Sequence, residues 1–152
     1  MKTCPVGNLP PTTAVDAAKK STPTRDVPGI GVIGATALAS TVTDPSGFKT
    51  GRDFAAWIGL VPRQHSTGGK ERLGGISKQG DRYIRRLLVI GATAVVRQAQ
   101  QHPQKHPWIM KLLAKKPAKL VAVAVANKMA RIAWVIMAKR GYYRAPALAA
   151  AA

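Results

Sequence analysis

Apolar residues fall at helical spacing most clearly between Ile84 and Val96. Ile84, Leu87, Leu88, Ala92, Val95 and Val96 recur at i, i+3 and i+4, while Arg82, Arg85 and Arg86 cluster at the N-terminal end. The pattern predicts a core helix with a basic, exposed first turn. Upstream, Val32 to Ala39 is a compact apolar run entered through Val27-Pro28-Gly29-Ile30-Gly31, where Gly29 and Gly31 permit a tight turn. Thr50 and Asp53, three residues apart, make a short-side-chain capping box ahead of Phe54, Trp57 and Ile58 on one face, and Gly59 ends that helix. Pro107 and Pro117 each open a further helix, one to about residue 116 and one to about residue 140, where Gly141 stops it.

The polar interruption is as informative as the helices. From Leu60 to Gly80 the chain carries Pro62, Gly68, Gly69, Gly74, Gly75 and Gly80, which reads as one long loop with room for a short β-hairpin. Loops of that length in a small domain are usually functional or disordered. Residues 1–25, rich in Pro, Thr and Lys, show no sustained pattern beyond a short Ala14–Ala18 stretch and read as a disordered or atypical lead-in. The expected fold is mainly α: a compact helical domain over residues 26–144, with a helix-hairpin-helix-like turn, one long Gly-rich basic loop and an Ala-rich tail at 145–152.

Composition turns this outline toward nucleic acid. At 152 residues and 46% hydrophobic the chain is the size of one domain with enough apolar material for a core. Its formal net charge is +18, and after Asp81 it contains neither Asp nor Glu. Between Arg63 and Arg86, seven basic residues (Arg63, Lys70, Arg72, Lys78, Arg82, Arg85 and Arg86) stand against Glu71 and Asp81. Surfaces kept soluble by charge mix signs, whereas a one-signed surface is the footprint of a phosphate binder. The single cysteine, Cys4, cannot close an internal disulfide, and the N-terminus lacks the apolar run of a secretory signal, so the expected compartment is the cytoplasm. The most apolar stretch, Leu120 to Ala138, is interrupted by Asn127, Lys128 and Arg131; it reads as a buried helix of a soluble protein, with no membrane partner.

Two places could carry chemistry. At Pro28-Gly29-Ile30-Gly31, backbone N–H groups of the turn and of the helix behind it could bind a DNA phosphate without reading sequence; the same residues also suit an ordinary turn between packed helices. In the long loop, a hydroxyl that attacks a phosphodiester needs a backbone able to approach DNA and cations that stabilise the phosphate. Ser66 has Gly68 and Gly69 on one side and Arg63, Lys70 and Arg72 around it; Lys78, Arg82, Arg85 and Arg86 would hold the nucleic-acid backbone. A serine in such a loop is more commonly a turn residue, and the residues alone leave both readings open. His65 adjoins Ser66, but neighbours in extended backbone point to opposite sides. His102 and His106, with no CxxC pair, do not make a zinc site, so no metal ligands are assigned. Tyr142 and Tyr143, beside Arg140 and Arg144, are the better base-stacking aromatics; Trp134 falls on an apolar face with Ala130 and Met137 and reads as core.

The run from Gly59 to Leu88, with Ser66-Thr67-Gly68-Gly69-Lys70, Gly75-Ile76-Ser77-Lys78-Gln79-Gly80-Asp81 and Arg85-Arg86-Leu87-Leu88, closely resembles the C-terminal domain of the insertion sequence 110/116/902 transposases. Val27 to Gly31 and Phe54 to Leu60 fit the same domain, so the resemblance spans about residues 26–143. It implies DNA binding and DNA transposition or recombination, with a loop serine that becomes covalently linked to DNA. Ser66 is the matching position, and Thr67 and Ser77 are rival hydroxyls. The resemblance also implies an N-terminal domain with four carboxylates that bind Mg²⁺, a structured guide RNA, and assembly as a homo-oligomer when full length. The six carboxylates here are too scattered to be that domain, so this chain is expected to hold no cofactor and to need the missing domain for activity. The alternative is a non-catalytic nucleic-acid-binding remnant of a transposase.

Overall fold

The computed structural model describes residues 23–65, 69 and 72–143. Among them are five α-helices: α1 (Val32–Thr41), α2 (Gly51–Ile58), α3 (Arg82–Gln101), α4 (Pro107–Leu113) and α5 (Ala118–Lys139). A two-stranded antiparallel sheet, β1 (Pro62–Gln64) and β2 (Leu73–Ile76), lies between α2 and α3. The mainly α expectation holds, and part of the long loop is strand. Most of the lead-in lies outside the described residues, but its last three belong to a 3₁₀ turn, Pro23–Asp26, in which Thr24 is only 3% exposed. The Ala-rich tail at 145–152 also lies outside them.

α5 is the hub. It packs on α2, α3 and α4 and on the two 3₁₀ turns Pro23–Asp26 and Pro45–Gly47. By length and composition alone it could cross a membrane. Here, however, Val121, Ala122, Val125, Ala126, Met129, Ala130, Ala133 and Ile136 are buried in the domain core. The small residues among them let neighbouring helices approach closely, which suits a central helix with partners on several sides. α5 also ends one residue earlier than Gly141 suggests: Arg140 takes the left-handed conformation (φ 47°), and its N–H and that of Gly141 both donate to the Ile136 carbonyl. Pro117 is the extended residue before the helix rather than its first turn.

Local chemistry sets the other boundaries. The Thr50 hydroxyl accepts from the Asp53 N–H at 3.2 Å and the Asp53 carboxylate accepts from the Thr50 N–H at 3.0 Å, completing the capping box of α2. Behind it Phe48, Phe54 and Trp57 form an aromatic cluster with centroids 5.2–5.9 Å apart. Trp134 is half-buried and packs against the core, with its indole N–H donating to the Pro45 carbonyl at 3.1 Å. α1 carries no charged residue, yet only Ala35 and Leu38 are buried and Ile33 is 65% exposed.

Candidate nucleic-acid interface

The hairpin is an exposed arm on a fixed base. Every residue of β1 and β2 is exposed except Ile76, which is half-buried. Leu73, an apolar side chain, is 65% exposed. Pro62 pairs with Ile76 and Gln64 with Leu73, so β2 spends one residue more than β1 and the ladder is irregular opposite Arg63. Beyond the strands the His65 N–H donates to the Arg72 carbonyl at 2.8 Å. Between these two residues in sequence stand Ser66, Thr67, Gly68, Lys70 and Glu71, all outside the described residues. Below the strands the ladder continues: the Ser77 N–H donates to Val61 and the Lys78 N–H to Gly59, at 2.9 and 3.1 Å.

Three helices hold this base. Arg85 of α3 donates through Nη1 to the Ile58 carbonyl at 2.8 Å and to the Gly80 carbonyl at 3.5 Å. Asn127 of α5 donates through Nδ2 to the Leu60 carbonyl at 3.2 Å, and the Leu60 side chain is buried. At the end of α2, Gly80 (φ 113°) lies so close to the Trp57 carbonyl that any Cβ would overlap it, and a Cβ on Gly59 (φ 82°) would likewise clash with the backbone of Gln79. Only glycine permits that crossing of chains.

The described cations sort into two groups. Arg63, Arg72, Lys78, Arg82 and Arg86 are exposed along the arm and the first turns of α3. Arg63 also spans the hairpin, donating to the Ser77 carbonyl at 2.9 Å. Arg85 is different: it is half-buried and its guanidinium is engaged by backbone carbonyls. Spacing along the helix could not separate Arg85 from Arg86, because the distinction depends on where the C-terminus of α2 ends in space. Asp81, the one described carboxylate in this region, caps α3 by accepting from the Ile84 N–H at 2.7 Å. The imidazole of His65 lies against Gly74 of the opposite strand, where an added Cβ would stand 3.1 Å from Cδ2.

The Pro28–Gly31 turn divides its two glycines. Gly29 (φ 90°) faces inward, where an added Cβ would meet Met129, Val95 and the Gly91 carbonyl at 2.7–3.0 Å. Gly31 is the extended N-cap of α1 with open space around it. Among the described residues the element before the turn is the 3₁₀ turn Pro23–Asp26 and not a full helix. Among these residues, too, no three His, Cys, Asp or Glu side chains converge as metal ligands would.

Comparison with known proteins gives this arrangement its context. Residues 23–107 match the model of the transposase IS116/IS110/IS902 family, a span from the 3₁₀ turn through the arm to the start of α4. A "probable family 20 transposase" of Pseudomonas aeruginosa is 55% identical over 119 residues, covering 78% of this chain and 35% of that protein. The transposase for insertion sequence element IS1328 of Yersinia enterocolitica is 47% identical over 111 residues, covering 72% of this chain and 33% of that protein. That for IS1111A of Coxiella burnetii is 39% identical over 121 residues, covering 79% and 33%. The chain therefore spans about a third of the length of these relatives. With the match running through the arm and through α2 and α3, two of the three helices that anchor it, this chain belongs to the IS116/IS110/IS902 family of transposases.

Proposed function

We propose that this chain is the DNA-binding, strand-exchanging domain of a transposase, in which the arm presents Ser66 to a phosphodiester. The observation that carries the reading is the arm itself: an exposed hairpin, fixed at its base by α2, α3 and α5, whose closing His65–Arg72 bond brackets the segment containing Ser66. Arg63, Arg72, Lys78, Arg82 and Arg86 supply exposed cations on the arm and the first turns of α3, and Lys70 stands in sequence between His65 and Arg72. Gly31 and the first turn of α1 are a further backbone contact for a phosphate. In the reaction the Ser66 oxygen bonds to phosphorus and one bridging P–O bond breaks. The released sugar hydroxyl takes up a proton, and the serine gives one up. The phosphoserine ester keeps the energy of the broken bond, so the reverse attack by a new sugar hydroxyl rejoins the strand without a further energy source.

Mg²⁺ chemistry in the family calls for converging carboxylates. Among the described residues no three such side chains converge. Guide RNA and a second copy are partners that the longer transposase would bring. A second reading, a nucleic-acid-binding module that performs no chemistry, rests on the same exposed cations and needs no nucleophile. One experiment separates the two. The chain is joined to the remaining domains of a family transposase with its guide RNA, and recombination and covalent protein–DNA product are measured for the parent, Ser66→Ala and Ser77→Ala. The catalytic reading expects Ser66→Ala to abolish both and Ser77→Ala to retain both. Normal recombination by Ser66→Ala refutes the serine assignment, and binding without recombination by the parent favours the module.

A further inference from the structure

A second basic surface lies away from the arm. A cleft of about 820 Å³ opens between the start of α2 and the C-terminal half of α5, with the residues after α5 on its rim. Arg52 comes from α2, Lys128 and Arg131 from α5, and Tyr142 and Tyr143 from beyond Arg140. None of the arm's described cations lines it, and no described carboxylate does. Asp53, next to Arg52 in sequence, has its carboxylate accepting from the Thr50 N–H and hydroxyl, both at 3.0 Å. Because that capping box already occupies the helix N-terminus, anion affinity here must come from the three side-chain cations.

The apolar part of the cleft narrows the choice of ligand. Val135 is 42% exposed in it, and Tyr142 is 82% exposed at its edge while Tyr143 is packed partly against the core. Lys128, which lines the cleft, also holds its ammonium 4.2 Å from the centre of the Trp108 ring, a cation–π contact with a residue outside the lining. Flat aromatic and apolar surface among cations suits a ligand that has both flat faces and phosphates. An unpaired nucleotide has both, whereas a duplex hides its base faces in its own stack and could use only the cations.

We infer that this cleft is a second nucleic-acid site and takes a single strand, with an unpaired base stacked on Tyr142 and its phosphates held by Arg52, Lys128 and Arg131. The inference does not depend on Ser66 or on the arm. RNA and DNA strands share this chemistry, so the test includes both.

Binding of the full 152-residue chain is measured by fluorescence anisotropy against labelled oligo(U), oligo(dT) and a mixed-sequence duplex, each about 12 nucleotides or base pairs long. Tyr142→Ala is expected to weaken single-strand binding about tenfold and to leave duplex binding within about twofold, with Tyr142→Phe restoring the parent value because the ring face remains. Tyr142 is too exposed for its loss to unfold the chain, and circular dichroism of each variant checks this. Arg52→Gln with Arg131→Gln is expected to flatten the salt dependence of single-strand binding by about 0.7 for each phosphate that the variant no longer neutralises. Where Tyr142→Ala weakens strand binding selectively, the oligonucleotide that suffers the larger loss names the strand, RNA for oligo(U) and DNA for oligo(dT). The inference is overturned if Tyr142→Ala leaves single-strand binding unchanged, or weakens strand and duplex alike. Arg82→Gln and Arg86→Gln run beside it report on the arm face, so failure of one site is distinguishable from failure of the other.

Discussion

Arg85 and Arg86 are adjacent, identical in type and equally basic, yet they should respond to mutation in opposite ways. Arg85 donates to the Ile58 carbonyl at the C-terminal end of α2 and reaches the Gly80 carbonyl, in a half-buried setting. A charged hydrogen bond of that kind contributes about 1.5–3 kcal/mol, and a cation at a helix C-terminus adds about 0.3–1 kcal/mol. Arg85→Ala should therefore cost about 2–3 kcal/mol. That is a large fraction of the total for a domain whose stability is on the order of 5–15 kcal/mol. With a urea slope of about 2 kcal/mol per molar, the unfolding midpoint should fall by about 1 M with the slope unchanged. Arg86→Ala, at an exposed position, should shift stability by no more than about 0.5 kcal/mol. Its effect should appear in duplex binding, as weaker affinity and a salt slope reduced by about 0.9. Paired urea melts and salt titrations decide the matter. If Arg85→Ala unfolds at the parental midpoint and loses as much duplex affinity as Arg86→Ala, Arg85 is a phosphate ligand and the anchoring argument is wrong.

Other consequences follow from the same geometry. Gly80→Ala should cost about 3 kcal/mol or more, since a Cβ would overlap the Trp57 carbonyl on a backbone that disfavours side chains; a thermal melt within a few degrees of the parent would contradict this. Asn127→Ala should lower stability by about 1–2 kcal/mol by leaving the Leu60 carbonyl without its side-chain donor, read as a shift in urea midpoint. Asp44 accepts from the Ser46 hydroxyl at 2.6 Å and from its N–H at 2.9 Å, which holds its carboxyl below the ordinary 3.8. A depressed folded value means that this contribution is present above the ordinary pKa and lost as pH falls through the folded one. Ser46→Ala should raise the Asp44 titration toward 3.8, as followed by NMR.

How much of this was legible in the sequence depends on whether the cause is local. The capping box at Thr50 and Asp53, the face of α3 and the burial of α5 follow from spacing within one element, and the structure shows all three. The hairpin was only half legible. Gly74 and Gly75 sit within β2 itself, and glycine within a run normally argues for a turn. The two glycines of the Pro28–Gly31 turn looked equivalent as residues and separate only because α3 and α5 press on Gly29. The Arg52, Lys128 and Arg131 cleft had no linear signal, since its cations are drawn from two helices far apart in sequence. Tyr142 and Tyr143 were the one hint, as aromatics beside basic residues at the end of a helix.

The few acidic residues explain how so one-signed a chain can fold and still hold charge in reserve. Three of its six carboxylates, Asp44, Asp53 and Asp81, each accept backbone N–H bonds at the start of a helical element. There they offset the positive end of the helix and satisfy donors that folding would otherwise strand. Each of these hydrogen bonds is local, spanning two or three residues, so none uses a carboxylate to tie down a distant arginine or lysine. On the proposed reading, the exposed cations of the arm and of the α2–α5 cleft would approach a polyphosphate without first surrendering these carboxylates. Net charge should then translate almost directly into counterion release. Adding carboxylates near the arm, for instance Gln79→Glu, should weaken duplex binding well beyond any change in stability. A variant of that kind that binds duplex as tightly as the parent at low salt would mean that the arm's cations do not meet the phosphates.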